Sequence, residues 1–219
     1  MNKSPIKTGN LIIFDFDGTL IKGDSFFMLN LLLTTKIKDR LRLYVYMLLT
    51  KFNLLDNGRF KEKIIRKFWI NLTANEKNDI IEKLFYEINS RLRKYVTEKL
   101  REHVDANDMV VILSASPDFY LNTYIQNVFP GVKIEASKVK IEGNDIKLEN
   151  YYRERKKEIA EQLIEESGHG KVIFYTDSIN DLPVINLCTV TYLVDPSKSQ
   201  LNKIKKLSSK EIKPLFLNK

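Results

Sequence analysis

The sequence predicts an α/β fold, a parallel sheet with helices on both faces, interrupted by an all-helical insertion. Three observations carry this. Apolar runs at residues 10–14, Met109–Ser116 and Lys171–Ser178 each close on polar residues: Asp15/Asp17, Ser114/Ser116 and Asp177/Ser178. Continuous runs of this kind suit strands buried on both faces. Helical patterns separate them, and from Asp24 to about His103 the pattern is helical for about eighty residues.

The elements follow in order. "LIIF" is a strand, punctuated by Asp, Gly and Thr. "DSFFMLNLLL", "RLRLYVYMLL" and "NGRFKEKIIRKFW" read as three helices. Ile80, Ile81, Leu84, Phe85, Ile88, Leu92, Tyr95 and Val96 then recur at the spacing of one helix face. Phe26, Phe27, Tyr46 and Trp69 read as packing within this insertion. "MVVILSAS" is a buried parallel strand, and Pro117 suits the first turn of the next helix. "KVKIEGNDIKLEN" alternates around Gly143-Asn144, as a hairpin does. "RERKKEIAEQLIEESG" is an amphipathic helix stopped by Gly168. "KVIFYTDS" is another buried strand and "TVTYLVD" the last one. The expected division is a core of residues 1–22 and 105–219 and a helical cap of residues 23–104.

Composition narrows the class. The chain has 219 residues, 43% of them hydrophobic, enough for one full core and a smaller second unit. Cys188 is the only cysteine, so no disulfide forms within the chain, which fits a reducing compartment. One Cys and two His (His103, His169) serve a zinc site poorly, and both histidines read as surface residues. The N-terminal apolar run is too short for a signal peptide. "FFMLNLLL" is about half of a spanning helix. A cytoplasmic protein is expected. The net charge of +8 is concentrated: ten basic and three acidic residues lie between Lys36 and Lys67, and seven basic and one acidic from Lys198 to Lys219. Such zones attract polyanions or anionic headgroups. Solvated helix faces and a lysine-rich tail are the simpler reading, and no nucleic-acid partner is expected.

In open α/β sheets ligands bind outside the carboxyl ends of the strands. The three polar clusters would therefore meet at one edge. Asp15, Asp17, Asp177 and Asp181 would repel one another there and call for a cation. Hard oxygen donors without His or Cys suit Mg²⁺. Asp15 and Asp17 are expected to face apart and to divide the work, one as nucleophile and one as proton carrier. Gly18 permits close backbone approach, and Thr19 adds a hydroxyl. Ser114 and the N–H groups beside it at Ala115 form an anion pocket. Lys156 or Lys157 would balance phosphoryl charge.

This set resembles the haloacid dehalogenase superfamily of phosphatases. The resemblance rests on Asp15-Phe16-Asp17-Gly18-Thr19, Ser114, Lys156 and Asp177-Ser178-Ile179-Asn180-Asp181, in that order, and spans essentially the whole chain. It implies a Rossmann-like sheet and a Mg²⁺-dependent phosphomonoester hydrolase. Asp15 would form an aspartyl-phosphate, and Asp17 would protonate the leaving oxygen and then activate water. Asp15, the Asp17 carbonyl and Asp177 would hold the metal, with Asp181 in support. Ser114, Ala115, Gly18, Thr19 and Lys156 would surround the phosphoryl group. The subfamily pattern is a Lys followed by apolar residues three, four and seven further on; from Lys156 these are Ile159, Ala160 and Leu163, whereas Lys157 would place Glu161 on the apolar face, so the resemblance favours Lys156.

The helical insertion resembles the cap of the phosphoserine-phosphatase-like subfamily. "SASP" and "YTDSINDLP" look closer to a bacterial branch that includes phosphatidylglycerophosphatase C. Asp24, also read as the N-cap of the first cap helix, stands where the subfamily often has an acid facing substrate. The implied partner is a phosphorylated small molecule or lipid headgroup, with peripheral contact at the inner membrane face through the basic cap. Two other readings stay open: a phosphotransferase on the same intermediate, and a non-enzymatic polyanion- or membrane-binding protein on a retained fold.

Overall fold

A computed structural model describes residues 9–34, 36–51, 56–143, 145–168 and 170–217. His169 and the turn residue Asn144 lie outside the described residues. β1 (Leu11–Phe14) alternates between two cores because both faces of the sheet are covered. Ile12 and Phe14 enter one apolar cluster with Val110, Ile112, Tyr120 and Tyr124. Leu11 and Ile13 enter the other with Val111, Leu113, Phe174 and Leu163.

The insertion follows. α1 (Ser25–Leu33) starts at Asp24, whose carboxylate accepts from the Phe27 N–H at 2.7 Å. α2 (Ile37–Lys51) comes next, and α3 (Asn57–Ile64) is capped in the same way by Asp56 and continues as a π-turn, Ile65–Trp69. α4 (Ala74–Asn89) opens on a capping box of Thr73 and Glu76. α5 (Lys94–Asp105) leads to the sheet and packs against its next strand.

The single helix face expected through Ile80–Val96 is broken here. Ser90–Arg93 leaves the helix because it pairs with the chain after β1. Ile21 bridges Leu92, the Lys22 N–H donates to the Arg91 carbonyl at 2.8 Å, and the Arg93 N–H donates to the Leu20 carbonyl at 2.9 Å. Long-range backbone pairing overrides local periodicity at this point.

The rest of the chain builds β2 (Met109–Pro117), α6 (Asp118–Val128), β3 (Lys133–Glu142), β4 (Asp145–Glu149), α7 (Glu154–Ser167), β5 (Val172–Thr176), α8 (Leu182–Ile185), β6 (Val190–Val194), α9 (Lys198–Leu207) and β7 (Glu211–Leu215). The strand order is β4-β3-β2-β1-β5-β6-β7. All pairs are parallel except the β3–β4 hairpin. The hairpin matches the alternation read around Gly143. β7 does not match the lysine-rich tail: Ile212 is buried, and Pro214 is tolerated because this strand forms the sheet edge. The order reverses at β1, which pairs with β2 on one side and β5 on the other. That switch point places Asp15, Ser114–Ser116 and Asp177 at one edge.

His103, read as a surface residue, is only partly exposed. Its Nδ1 lies 2.8 Å from an Asp108 carboxylate oxygen and its Nε2 lies 3.1 Å from the Tyr175 hydroxyl. Cys188 is fully buried, as read.

Candidate active site

β1 ends at Phe14, and the Asp15 N–H donates to the Tyr175 carbonyl at 2.9 Å. By strand alternation Asp15 follows Leu11 and Ile13 toward the α7 side. There Lys156 Nζ donates to Asp15 Oδ1 at 2.7 Å and to the two Asp181 oxygens at 2.9 and 3.0 Å. Asp181 also accepts from the Thr176 hydroxyl at 2.6 Å. Lys156 is 3% exposed. Lys157 instead pairs on the surface with Glu161 at 3.5 Å.

Asp17 does face away from Asp15, but the strand is not the cause. Residues two apart in an extended chain share a face. The chain turns immediately after Asp15: the Thr19, Leu20 and Ile21 N–H groups all donate to the Phe16 carbonyl. This turn swings Asp17 toward α1. Its carboxylate accepts from the Ser25 N–H at 2.6 Å and from the Ser116 hydroxyl at 2.5 Å. The Ser25 hydroxyl lies 3.0 Å from both the Ser116 and the Tyr120 hydroxyls.

Gly18 sits at φ +77°, and a Cβ there would overlap the Asp177 carboxylate. Glycine thus lets the Asp15–Asp17 turn pack directly on Asp177. The Thr19 hydroxyl accepts from the Asp177 N–H at 2.9 Å, and Gln200 of α9 donates to the Asp177 carbonyl. The fully buried Thr19 therefore orients an acid. Ser114 is also buried: its hydroxyl accepts from the Ser116 N–H at 3.0 Å.

A cavity of about 680 Å³ opens over these groups. Its floor holds Asp15, Asp17, Gly18, Lys156, Asp177 and Asp181, with Ala115 and Ser116 beside them. Ser114 does not line it. The insertion supplies most of the remaining wall with Asp24, Phe26, Phe27, Asn30, Asn57, Phe60, Lys61 and Arg93, and Tyr152, Ser178 and Asn180 also line it. Phe26 and Phe27, read as packing only, therefore also face the cavity. Lys61 was not singled out from sequence. It is 6% exposed and donates to the Ala115 carbonyl at 2.6 Å and to Asn150 at 3.1 Å. Asn30 Oδ1, Asn57 Oδ1 and Arg93 Nε, all on cavity-lining residues, are buried atoms without a hydrogen-bond partner among the described residues. Buried polar atoms of this kind are rare unless something occupies the space they face.

The electrostatics are strained. Burial raises Asp15 to about 6 against the pull of Lys156, with Asp181 adding to the rise. Burial and the charge of Asp24 raise Asp17 to about 7, while Ser116 and Ser25 hold it back. Burial, Asp15 and Asp181 raise Asp177 to about 7. Burial pulls Lys156 down, yet the two carboxylates beside it outweigh that and leave it above its ordinary value. Burial lowers Lys61 to about 8.

Among the described residues, no three His, Cys, Asp or Glu side chains stand close enough to hold an ion by themselves. The donor set that fits a hard divalent cation is smaller: the Asp15 and Asp177 carboxylates, completed by backbone carbonyl and water. Their mutual repulsion is what such a cation relieves.

The family profile described as haloacid dehalogenase-like hydrolase matches residues 12–186. No curated protein matches the chain. Among solved structures, a protein of unknown function from Bordetella pertussis Tohama I superposes with TM-score 0.79 at 20% identity, covering 94% of this chain and 98% of its own. A haloacid dehalogenase family hydrolase from Salmonella enterica serovar Typhi gives 0.71 at 14% identity over 91% and 67%. A phosphoserine phosphatase solved as a phospho-aspartyl intermediate analogue gives 0.65 at 14% identity over 94% and 94%. These three likenesses concern the fold, whereas the profile spans most of the sequence: the chain belongs to the haloacid dehalogenase-like hydrolases.

Proposed function

We propose that the protein is a Mg²⁺-dependent phosphatase that hydrolyses the phosphomonoester of a small molecule through an aspartyl-phosphate on Asp15. The observation that carries this is the division of the two motif acids. Asp15 is bound to a buried ammonium, whereas Asp17 is held by hydroxyl and amide groups and titrates near neutrality. A nucleophile needs its negative charge, which Lys156 favours. A proton carrier needs a pKa near the working pH.

An Asp15 oxygen attacks phosphorus as the bond from phosphorus to the leaving oxygen breaks. Protonated Asp17 gives its proton to that oxygen. Asp17, now a carboxylate, takes a proton from water. The hydroxide attacks phosphorus, the bond to Asp15 breaks, and phosphate leaves with Asp15 free and Asp17 protonated again. Lys156 balances charge on the transferring group and on Asp15, and Asp181 fixes Lys156. Mg²⁺, held by Asp15, Asp177 and the Asp17 carbonyl, would draw negative charge from the phosphoryl oxygens.

The phosphoserine phosphatase likeness supports a phosphorylated small molecule as substrate. The insertion, taken as the cap over residues 23–104, supplies Asp24, Asn30, Asn57 and Lys61 as the groups that select its organic part. The test is hydrolysis of p-nitrophenyl phosphate with and without Mg²⁺. Turnover should need the metal, and Asp15→Asn should lower kcat by more than about 10⁴-fold. Full activity in Asp15→Asn would remove the mechanism.

A further inference from the structure

α2 carries apolar residues on the side that faces water. Ile37 is 84% exposed, Leu41 65%, Tyr44 51%, Val45 50% and Leu48 56%. At about 100° per residue these five fall within an arc of about 100° on one helix face. Lys38 and Arg42 border the arc on one side and Arg40 on the other. All three are exposed. The inward side is separate: Leu43 is buried, Tyr46 packs on Phe60 at 5.4 Å, and Asp39 pairs with Lys67 at 2.8 Å. α2 thus presents an apolar stripe with a basic rim, the pattern of a helix lying in a membrane interface.

Two further observations choose the occupant. On and beside α2 the exposed cations Lys36, Lys38, Arg40 and Arg42 stand against Asp39 alone, so the surroundings of the stripe favour an anionic surface. A second copy pairing through the same face would set cationic rim against cationic rim. The stripe is also continuous with the cavity wall: the Tyr44 ring meets Phe27 edge-on at 5.6 Å, and Phe27 lines the cavity.

We propose that the outward face of α2 seats the protein on an anionic lipid bilayer. Ile37, Leu41, Tyr44, Val45 and Leu48 enter the boundary between headgroups and acyl chains, and Lys38, Arg40 and Arg42 rest among the phosphates. The cavity wall then meets the bilayer surface. Lipid binding is read without turnover, so it stands or falls apart from the phosphatase assignment.

The experiment is sedimentation of the full chain with vesicles of phosphatidylglycerol mixed with phosphatidylcholine, and with vesicles of phosphatidylcholine alone. Binding should be at least about tenfold tighter to the mixed vesicles and should weaken with added salt. The double variant Leu41→Gln/Leu48→Gln should lose at least about tenfold in affinity while p-nitrophenyl phosphate turnover stays unchanged. Lys38→Gln/Arg42→Gln, which leaves the stripe intact, should weaken binding about fivefold per charge. Three results would overturn the proposal: no sedimentation with either vesicle, binding indifferent to both double variants, or a wild-type dimer that Leu41→Gln/Leu48→Gln splits into monomers.

Discussion

The carboxyl edge of the sheet and the outward face of α2 break opposite rules. At the sheet edge, charges are buried that would ordinarily lie in water. On α2, large apolar side chains lie in water that would ordinarily be buried. The buried charges are matched within the molecule: Lys156 joins Asp15 to Asp181, and Asp181 also binds Thr176. The exposed apolar stripe ends in solvent. The first arrangement fixes reacting groups to within a hydrogen bond. The second leaves free energy to be gained only when something else arrives. The proposed chemistry and the proposed docking thus fall on different parts of the structure, joined where Phe27 meets Tyr44.

Lys156→Met tests the contrast most severely. It strands two buried carboxylates, and breaking such a pair costs about 3–5 kcal/mol. Chemical denaturation at pH 8 should show this loss, whereas Leu41→Gln/Leu48→Gln should change stability by only about 0.5 kcal/mol per site. Comparable losses in both would erase the distinction.

The acids sharpen it through pH. Asp15, Asp17 and Asp177 have folded pKa values of about 6, 7 and 7 against an ordinary 3.8. Between these limits the folded state binds more protons than the unfolded one, so stability falls as pH rises from about 4 to about 7 and is level above. The metal-free protein should therefore melt at a lower temperature at pH 8 than at pH 5. Added Mg²⁺ should raise the melting temperature more at pH 8, where its ligands are deprotonated. A melting temperature that rises with pH in the metal-free protein would contradict the rise that burial imposes on these acids. The cost of Lys156→Met should also shrink at pH 5, where the stranded Asp15 takes up a proton.

The smallest expected effect is at Ser116. Ser116→Ala removes a hydroxyl that holds the pKa of Asp17 down. The alkaline limb of the kcat–pH profile should move upward. One hydrogen bond of about 0.5–1.5 kcal/mol corresponds to about a two- to tenfold loss in kcat, with KM steady. An unmoved profile would reduce Ser116 to a packing role.

Much of this was legible in the sequence because strands ending in acids are local patterns. Asp15, Asp17, Lys156, Asp177 and Asp181 lie at one edge, and the family pattern of apolar residues after the lysine, met by Ile159, Ala160 and Leu163, distinguished Lys156 from Lys157. What sequence could not show depends on side-chain direction after the strand ends. The turn at Phe16 sends Asp17 to Ser25 and Ser116, so the hydroxyl at the cavity belongs to Ser116 while Ser114 lies beneath it. Lys61 looked like one lysine among many, and only the packing of α3 against β4 brings it to the Ala115 carbonyl. The break at Ser90–Arg93 and the pairing of β7 are long-range events that no local period records.

Gln200 gives the site a dependence in time. Its side-chain amide holds the Asp177 carbonyl from α9, beyond the residues matched by the family profile. Asp15 emerges early in synthesis and its partner acid much later. Thr19 meets the N–H of that acid, but its carbonyl is held by a residue made later still. A ribosome-bound chain can therefore carry every motif acid and still lack the contact that holds Asp177 in register, so full competence would arrive only as the last helix docks.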